Sequence, residues 1–177
     1  MNKILSTAII LVLCIFLSAC SAALVDHKEL TPKLDLFSYF EGDVTAWGMV
    51  QDFKGNQVRR FEVKIKGEIQ GNKLTLVEDF VYADGEISQR IWYITKVGDN
   101  QYTGKADDVI GEATGTSIGN ALRWQYTLAL PVDGDIYHVN FDDWMFLQDD
   151  KHLFNRATMS KLGITVAEVT LFFQKQI

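Results

Sequence analysis

Charged side chains interrupt the apolar faces of several predicted β-strands in this sequence. On these strands apolar residues recur at every second position, so a charge on the same face points toward the interior. An inward charge is costly unless it is paired or hydrogen-bonded. The residues on or beside such faces, and therefore the ones that could do chemistry, are Glu78, Arg90, Arg123 and Asp143.

Two interpretations of these charges remain open. In the functional one, an inward arginine surrounded by aromatic residues receives the carboxylate or phosphate of a ligand, because the guanidinium fork suits bidentate capture. The aromatic candidates are Trp92, Trp124 and Tyr126. In the structural one, the two carboxylates neutralise nearby arginines in a buried network, or a bulge turns them to solvent. The arginines available for that network are Arg90, Arg123 and Arg156.

The sequence contains no motif typical of catalysis or of metal binding. It has no Gly-x-Ser-x-Gly elbow, and the glycine-rich segment 111–119 lacks the Gly-Lys-Ser/Thr of a phosphate-binding loop. The four aspartates within residues 142–150 lack the spacing of a calcium loop, and the three histidines are scattered. We therefore expect no cofactor and no metal, and a binding protein rather than an enzyme.

The segments that carry these residues are predicted to be strands joined by short turns. From Asp43 onward, turn-forming pairs such as Asp84-Gly85 recur every 12–18 residues, apart from one longer gap. No segment after residue 42 shows a sustained 3.6-residue period. The pattern predicts an all-β, antiparallel up-and-down meander of about eight or nine strands. Residues 34–40 are compact and apolar and predict a short helical turn or plug before the first strand.

A meander of this length most simply closes into a lipocalin-like, calycin-type barrel, because closure removes the exposed edge strands. An eight-stranded barrel either packs its interior with side chains or holds one small ligand. An open sandwich is the alternative. A barrel that crosses a membrane shows the same alternation with the apolar face outward, so periodicity alone does not separate the two.

The N-terminus has the order of a bacterial export signal. Lys3 precedes an apolar run from Ile4 to Phe16, and small residues lead to Cys20. The segment Leu17-Ser-Ala-Cys20 resembles the lipoprotein box, in which the cysteine thiol receives a diacylglycerol and the chain is cut before it. The sequence thus predicts a cleaved signal over residues 1–19, a lipid-anchored tether over 20–36 and one barrel domain over 37–177. An ordinary cleaved signal followed by a free thiol is the alternative.

Composition restricts the partners. The formal charge is −6, and it becomes −7 once Lys3 is removed with the signal. Because no basic run is present, we expect no nucleic-acid partner. The acyl chains, and not charge, would then hold the protein on the membrane. Cys14 lies in the predicted signal and Cys20 would be acylated, so no disulfide is expected.

Several segments of the sequence carry a family resemblance: Tyr82-Ala-Asp-Gly-Glu86 with Arg90-Ile-Trp92, Tyr102-Thr-Gly-Lys-Ala-Asp-Asp-Val109, Gly119-Asn120-Ala121, Phe141-Asp-Asp-Trp-Met145, and Asn155-Arg156 through Lys161-Leu-Gly163. Together they resemble the DUF3833 family of uncharacterised Gram-negative lipoproteins. The resemblance covers nearly all of residues 37–175. It implies a lipid-anchored envelope protein, and it carries no defined functional residues.

Together these observations predict a non-catalytic lipoprotein whose barrel binds or carries an apolar ligand such as a fatty acid. Its predicted location is the periplasmic face of the outer membrane, because Ser21 and not aspartate follows Cys20. One alternative is an envelope scaffold with a solid barrel that presents a surface to a protein partner. A less favoured alternative is a lipid-modifying enzyme that uses Glu78, Arg90 and Asp143.

Overall fold

The computed structural model describes residues 23–132 and 134–176, which contain ten β-strands and one short α-helix. The helix is α1 (Leu36–Phe40). The strands are β1 (Gly42–Asp52), β2 (Gln57–Gln70), β3 (Lys73–Tyr82), β4 (Ile87–Gly98), β5 (Gln101–Lys105), β6 (Val109–Ile118), β7 (Ala121–Val132), β8 (Asp135–Leu147), β9 (His152–Lys161) and β10 (Ile164–Lys175). Each strand pairs antiparallel with its neighbours in the chain, and β1 pairs with β10 to close the barrel.

The predicted closed, lipocalin-like meander with a short N-terminal helix is confirmed, and the strand count is wrong. The structure has ten strands where eight or nine were expected. The discrepancy falls in the long gap between turn-forming pairs, where β5 has only five residues. The chain reverses there at Ala106–Asp108, which contains neither glycine nor asparagine. Because β1 and β10 pair directly, the open sandwich is excluded.

The alternation of the strands is apolar inward and charged outward. In β2, Val63 and Ile65 are buried, whereas Lys64 and Lys66 between and after them are exposed and pair with glutamates on the outer surface. This orientation is the reverse of the one that a membrane-crossing barrel requires. Separately, within residues 23–132 and 134–176, no helix combines the length and the apolar character needed to span a bilayer.

Helix α1 closes one end of the barrel. Asp35 caps it by accepting hydrogen bonds from the backbone nitrogen and the hydroxyl of Ser38, at 2.9 and 3.0 Å. Its apolar side chains point into the barrel, where the Phe40 ring meets Phe173 edge-to-face at 5.7 Å and the Phe37 ring stacks on Tyr102 at 5.9 Å. The helix is therefore part of the core at this end.

The chain before α1 also lies against the closed end. Residues Leu24–His27 form a 3-10 turn, and the His27 ring lies 3.2 Å from the side-chain oxygen of Asn120. Leu34 donates a backbone hydrogen bond to the carbonyl of Gly119 at 2.8 Å. Gly119 has a φ of +57°, and a Cβ there would lie 1.6 Å from the carbonyl oxygen of His27. Residues 23–36, predicted as a tether, are thus folded onto the barrel, because their apolar and polar groups find partners there.

Packing at the closed end is dense. Leu74, Leu122 and Leu153 are completely buried below α1, and each such side chain contributes about 1.5–3 kcal/mol through removal from water. Toward the opposite end the interior is not filled, and a cavity remains.

Candidate functional site

The cavity occupies the barrel interior beyond the packed end and has a volume of about 620 Å³. Its walls are mainly apolar and aromatic, and its volume falls in the range typical of small-molecule sites. It extends from α1 toward the opposite end, where its lining includes Val58 and Val132, which are 60% and 42% exposed. That end therefore forms the mouth of the cavity.

Glu78, Arg90 and Asp143 all line this cavity, so the structure brings three of the predicted charges together. Glu78 on β3 is directly opposite Arg90 on β4. Asp143 on β8 is directly opposite Trp124 on β7. The inward orientation follows from strand alternation, as the sequence predicted.

Arg90 is held by a carboxylate outside the predicted set. Its Nε and one Nη donate to the same oxygen of Asp108, Oδ2, at 2.9 and 2.6 Å. The other oxygen of Asp108 is buried and has no hydrogen-bond partner among the described residues. Asp108 lies in the turn before β6, where no alternation exists to indicate its orientation. The main partner of Arg90 therefore could not be found from the sequence.

Burial changes the ionisation of Glu78. The side chain of Glu78 is half-buried, and its accessible part faces the cavity. Burial raises the pKa of Glu78 to about 7; the Arg90 guanidinium opposes this rise, and the carboxylates of Asp108 and Asp143 add to it. Glu78 makes no hydrogen bond to any residue within 23–132 and 134–176.

Asp143 is in a similar position across the cavity from Glu78, on β8. It is only 7% exposed. Burial raises the pKa of Asp143 to about 7, although polar contacts from Asn155 and Tyr126 lower it. Burial also raises the pKa of Tyr126 well above its usual value. At neutral pH Glu78 and Asp143 are therefore each poised between the protonated and ionised forms.

Asn155 was not predicted as a site residue, although the sequence carries a signal for it. It is 3% exposed and lies on β9 between buried Leu153 and Ala157. A polar residue on that apolar face breaks the alternation in the same way as Glu78 and Asp143. A search of β9 for polar residues that interrupt its apolar face would therefore have identified Asn155.

The three predicted aromatic residues form one connected wall of the cavity. The Trp92 ring meets Trp124 edge-to-face at 5.7 Å and Tyr126 edge-to-face at 5.3 Å. Trp124 fits because two facing positions are glycines: a Cβ on Gly115 or on Gly104 would lie 2.2 or 2.6 Å from its ring. The polar cluster is thus bordered by closely packed rings.

Arg123 and Arg156 do not belong to this cluster. Arg123 chelates Asp142 with Nε and Nη2 at 2.7 and 2.8 Å, and Arg156 binds both carboxylate oxygens of Glu168 at 2.8 and 3.0 Å. Both pairs lie on the outer surface, because each arginine occupies an outward position of its strand. The hypothesis that they contribute to an interior site or network is therefore wrong for these two residues.

Two further sequence predictions concern the lipidation site and metal binding. Cys20, the predicted lipidation site, and the predicted signal lie outside the described residues. Within residues 23–132 and 134–176, no group of three or more histidine, cysteine or acidic side chains is placed to hold a metal ion. Asp149 instead caps the turn before β9 by accepting hydrogen bonds from the backbone nitrogens of Lys151 and His152.

A family model, described as a protein of unknown function, DUF3833, matches residues 14–175. The chain belongs to the DUF3833 family. No curated protein matches this sequence.

Solved structures with the same fold include two calycin-like barrels. The S-type phycobiliprotein lyase CPES from Guillardia theta matches with a TM-score of 0.60 and 5% identity, over 80% of this chain and 90% of its own. Rv2717c from M. tuberculosis matches with a TM-score of 0.59 and 14% identity, over 84% of this chain and 100% of its own. At these identities the likeness establishes that this DUF3833 chain shares their fold.

Proposed function

We propose that this DUF3833 protein is a lipid-anchored envelope lipoprotein whose barrel binds an apolar ligand such as a fatty acid or another lipid. The observation that carries the proposal is the cavity of about 620 Å³ with apolar and aromatic walls. A void of this kind loses packing energy unless something fills it. The fold that it shares with a phycobiliprotein lyase agrees with a role in ligand binding.

The anchor rests on sequence alone, on the export signal and the box that ends at Cys20. It is tested by the intact mass of protein purified from its native membrane. A mass equal to residues 20–177 plus acyl groups supports the anchor. The mass of the unprocessed chain, or of a processed chain without acyl groups, would exclude it.

Ligand binding is tested with a substitution that fills the cavity. Leu130 lines the cavity on β7, and Ala129 beside it faces outward. We expect Leu130→Trp to abolish saturable binding of a fluorescent fatty acid, whereas Ala129→Trp retains it. Thermal unfolding of both variants checks that they fold. If the wild-type protein shows no saturable binding of fatty acids or phospholipids, the proposal fails.

The scaffold alternative assumed a solid barrel, and the cavity removes that assumption. The enzyme alternative gains one observation: Glu78, Arg90 and Asp143 converge in one cavity, and the pKa of both carboxyls is raised. Mass spectrometry of lipids incubated with wild-type and Asp143→Asn protein separates it from binding. Recovery of unchanged lipid from both supports a binding protein, and a product made only by the wild type would establish an enzyme.

A further inference from the structure

The charges that face the cavity are not balanced. Four charged residues line it: Arg59, Glu78, Arg90 and Asp143. Both arginines already have carboxylate partners, because Arg59 pairs with Glu86 at the mouth and Arg90 pairs with Asp108. The two carboxylates that remain, Glu78 and Asp143, therefore supply the charge that a ligand would meet.

Arg90 is poorly placed to receive an anion. Two of its nitrogens are engaged by Asp108 Oδ2, and Glu78 lies opposite it on the neighbouring strand. A ligand carboxylate would have to displace Asp108 or add a further negative charge beside three carboxylates. Both are unfavourable beside the apolar and aromatic walls of the cavity. In one interpretation of the sequence, an inward arginine captures a ligand carboxylate or phosphate. In the structure that arginine, Arg90, is already bound to Asp108.

Glu78 has the opposite problem, because it lacks a hydrogen-bond donor. Its side chain is half-buried and lines the cavity, yet no described residue donates a hydrogen bond to its carboxyl group. Asp143 has polar contacts with the side chains of Tyr126 and Asn155. The cation that acts on it is Arg90, which another carboxylate already engages. A buried carboxylate without full pairing is satisfied by a cationic donor, through charge-assisted hydrogen bonds.

We propose that the polar group of the ligand is a hydrogen-bond-donating cation, such as a primary ammonium, that binds against the carboxylates of Glu78 and Asp143 while the apolar remainder fills the cavity. This inference rests on the proposed binding function, and it replaces the fatty acid named there with a cationic amphiphile as the preferred ligand class. The rings of Phe80, Trp92 and Tyr126 line the same space, and aromatic faces attract a desolvated cation further.

Binding of such a cation is linked to protons. Because Glu78 and Asp143 each have a pKa of about 7, an arriving ammonium stabilises their ionised forms and releases protons at neutral pH. Arg59, Arg90, Asp108 and Glu86 are the other charged groups of the lining and its ion pairs. Affinity for the cation should therefore rise from about pH 5.5 to about pH 8, and affinity for an uncharged amphiphile should not.

The test compares three probes of one chain length, dodecylamine, dodecanoic acid and dodecanol, by calorimetry below the concentration at which they aggregate. At pH 8 we expect the amine to bind about tenfold or more tightly than the acid, as expected for charge-assisted hydrogen bonds. Calorimetry in two buffers of different ionisation enthalpy measures the released protons. Equal or tighter binding of the acid would overturn the inference.

Matched variants locate the effect in the cavity. Glu78→Gln with Asp143→Asn should reduce amine affinity about tenfold or more and abolish the proton release, while dodecanol binding shows that the barrel remains folded. The controls are Asp79→Asn with Asp142→Asn, because these adjacent carboxylates face outward and bind Gln89 and Arg123. Equal losses in both double variants would mean that the amine binds the acidic surface, and the inference would fail.

The outcomes also separate this inference from the function on which it rests. If the acid or the alcohol binds in the cavity and the amine does not, the ligand class is wrong and the binding function stands. If none of the three probes binds saturably, the binding function fails, and the ligand class fails with it.

Discussion

Two arginine–aspartate pairs on opposite faces of one barrel wall have nearly the same chemistry and different surroundings. Arg90 and Asp108 expose 26% and 36% of their side chains, and Arg123 and Asp142 expose 39% and 35%. The accessible part of Arg90 faces the cavity, whereas that of Arg123 faces bulk water. The two pairs therefore do not differ in accessible area. They differ in whether the accessible part faces the cavity or bulk water.

The same contrast holds for neighbours along one strand. Asp142 has a bidentate arginine partner on the outside, whereas Asp143, the next residue, is buried between Trp124 and Ala157. Strand alternation thus places one carboxylate in water and the next in a low-dielectric wall. The comparison predicts that the outer charges stabilise the protein weakly, and that the inner charges govern how its stability and ligand affinity depend on pH.

The largest expected effect comes from removing one arginine from each pair. Arg90→Gln removes the partner of Asp108 and the nearest cation to Glu78. Removal of one partner costs about 3–5 kcal/mol where a pair is fully buried, and we expect a large part of that cost here because Arg90 faces the cavity. Arg123→Gln breaks a solvent-exposed pair and should cost about 0.2–1 kcal/mol. Urea denaturation at pH 8 measures the free energy of unfolding of both variants. Equal losses would show that the inner and outer pairs are equivalent.

A smaller effect is expected from crowding the aromatic wall. Gly115→Ala would place a Cβ 2.2 Å from the Trp124 ring, and overpacking of this kind costs about 1–3 kcal/mol. The matched position is Gly111, where a Cβ meets nothing within 4 Å and only the φ of +75° opposes alanine.

Tryptophan signals distinguish the two glycine variants even if their stabilities are alike. We expect Gly115→Ala to change the near-UV circular dichroism and to weaken ligand binding, because Trp124 must move. Gly111→Ala should leave both unchanged. A Gly115→Ala variant with wild-type spectra would show that the added methyl group fits without moving Trp124, and would contradict this prediction.

The most gradual effect is a dependence of stability on pH. Folding raises the pKa of Glu78 from 4.5, and that of Asp143 from 3.8, to about 7. Between about pH 4 and 7 the folded state then holds more protons than the unfolded state, so the free energy of unfolding falls as pH rises. The loss is on the order of 1–3 kcal/mol for each pH unit of this window, and it ends about one unit above pH 7.

Substitution assigns this slope to the inner carboxyls. Glu78→Gln with Asp143→Asn should flatten the profile between pH 4 and 7, and Asp79→Asn with Asp142→Asn should retain it. Hydrogen bonds from Lys96 and Ser38 outweigh burial and lower the pKa of Asp35 to about 2, so that group acts only below this window. A wild-type profile that rises from pH 4 to 7 would contradict the inner-cluster account.

The sequence was informative where structure repeats and silent where it does not. Period-two alternation predicted the barrel and the inward orientation of Glu78, Arg90 and Asp143. It could not predict Asp108, because its orientation is set by a turn, nor the open volume, because side chains of similar hydrophobicity either fill or line a barrel. Arg123 is a candidate from the sequence only because it borders Trp124, and adjacent strand residues point to opposite sides, so it lies outside the cavity.

The folded N-terminal segment has a consequence for how the barrel would stand on a bilayer. Ala23 begins the described chain beside the 3-10 turn at the closed end. Only two residues separate it from Cys20, so the two lie at most about 11 Å apart. An acylated Cys20 would hold the sealed base of the barrel against the lipid headgroups and turn its mouth toward the aqueous compartment. Cargo would then enter and leave on the side away from the anchoring leaflet.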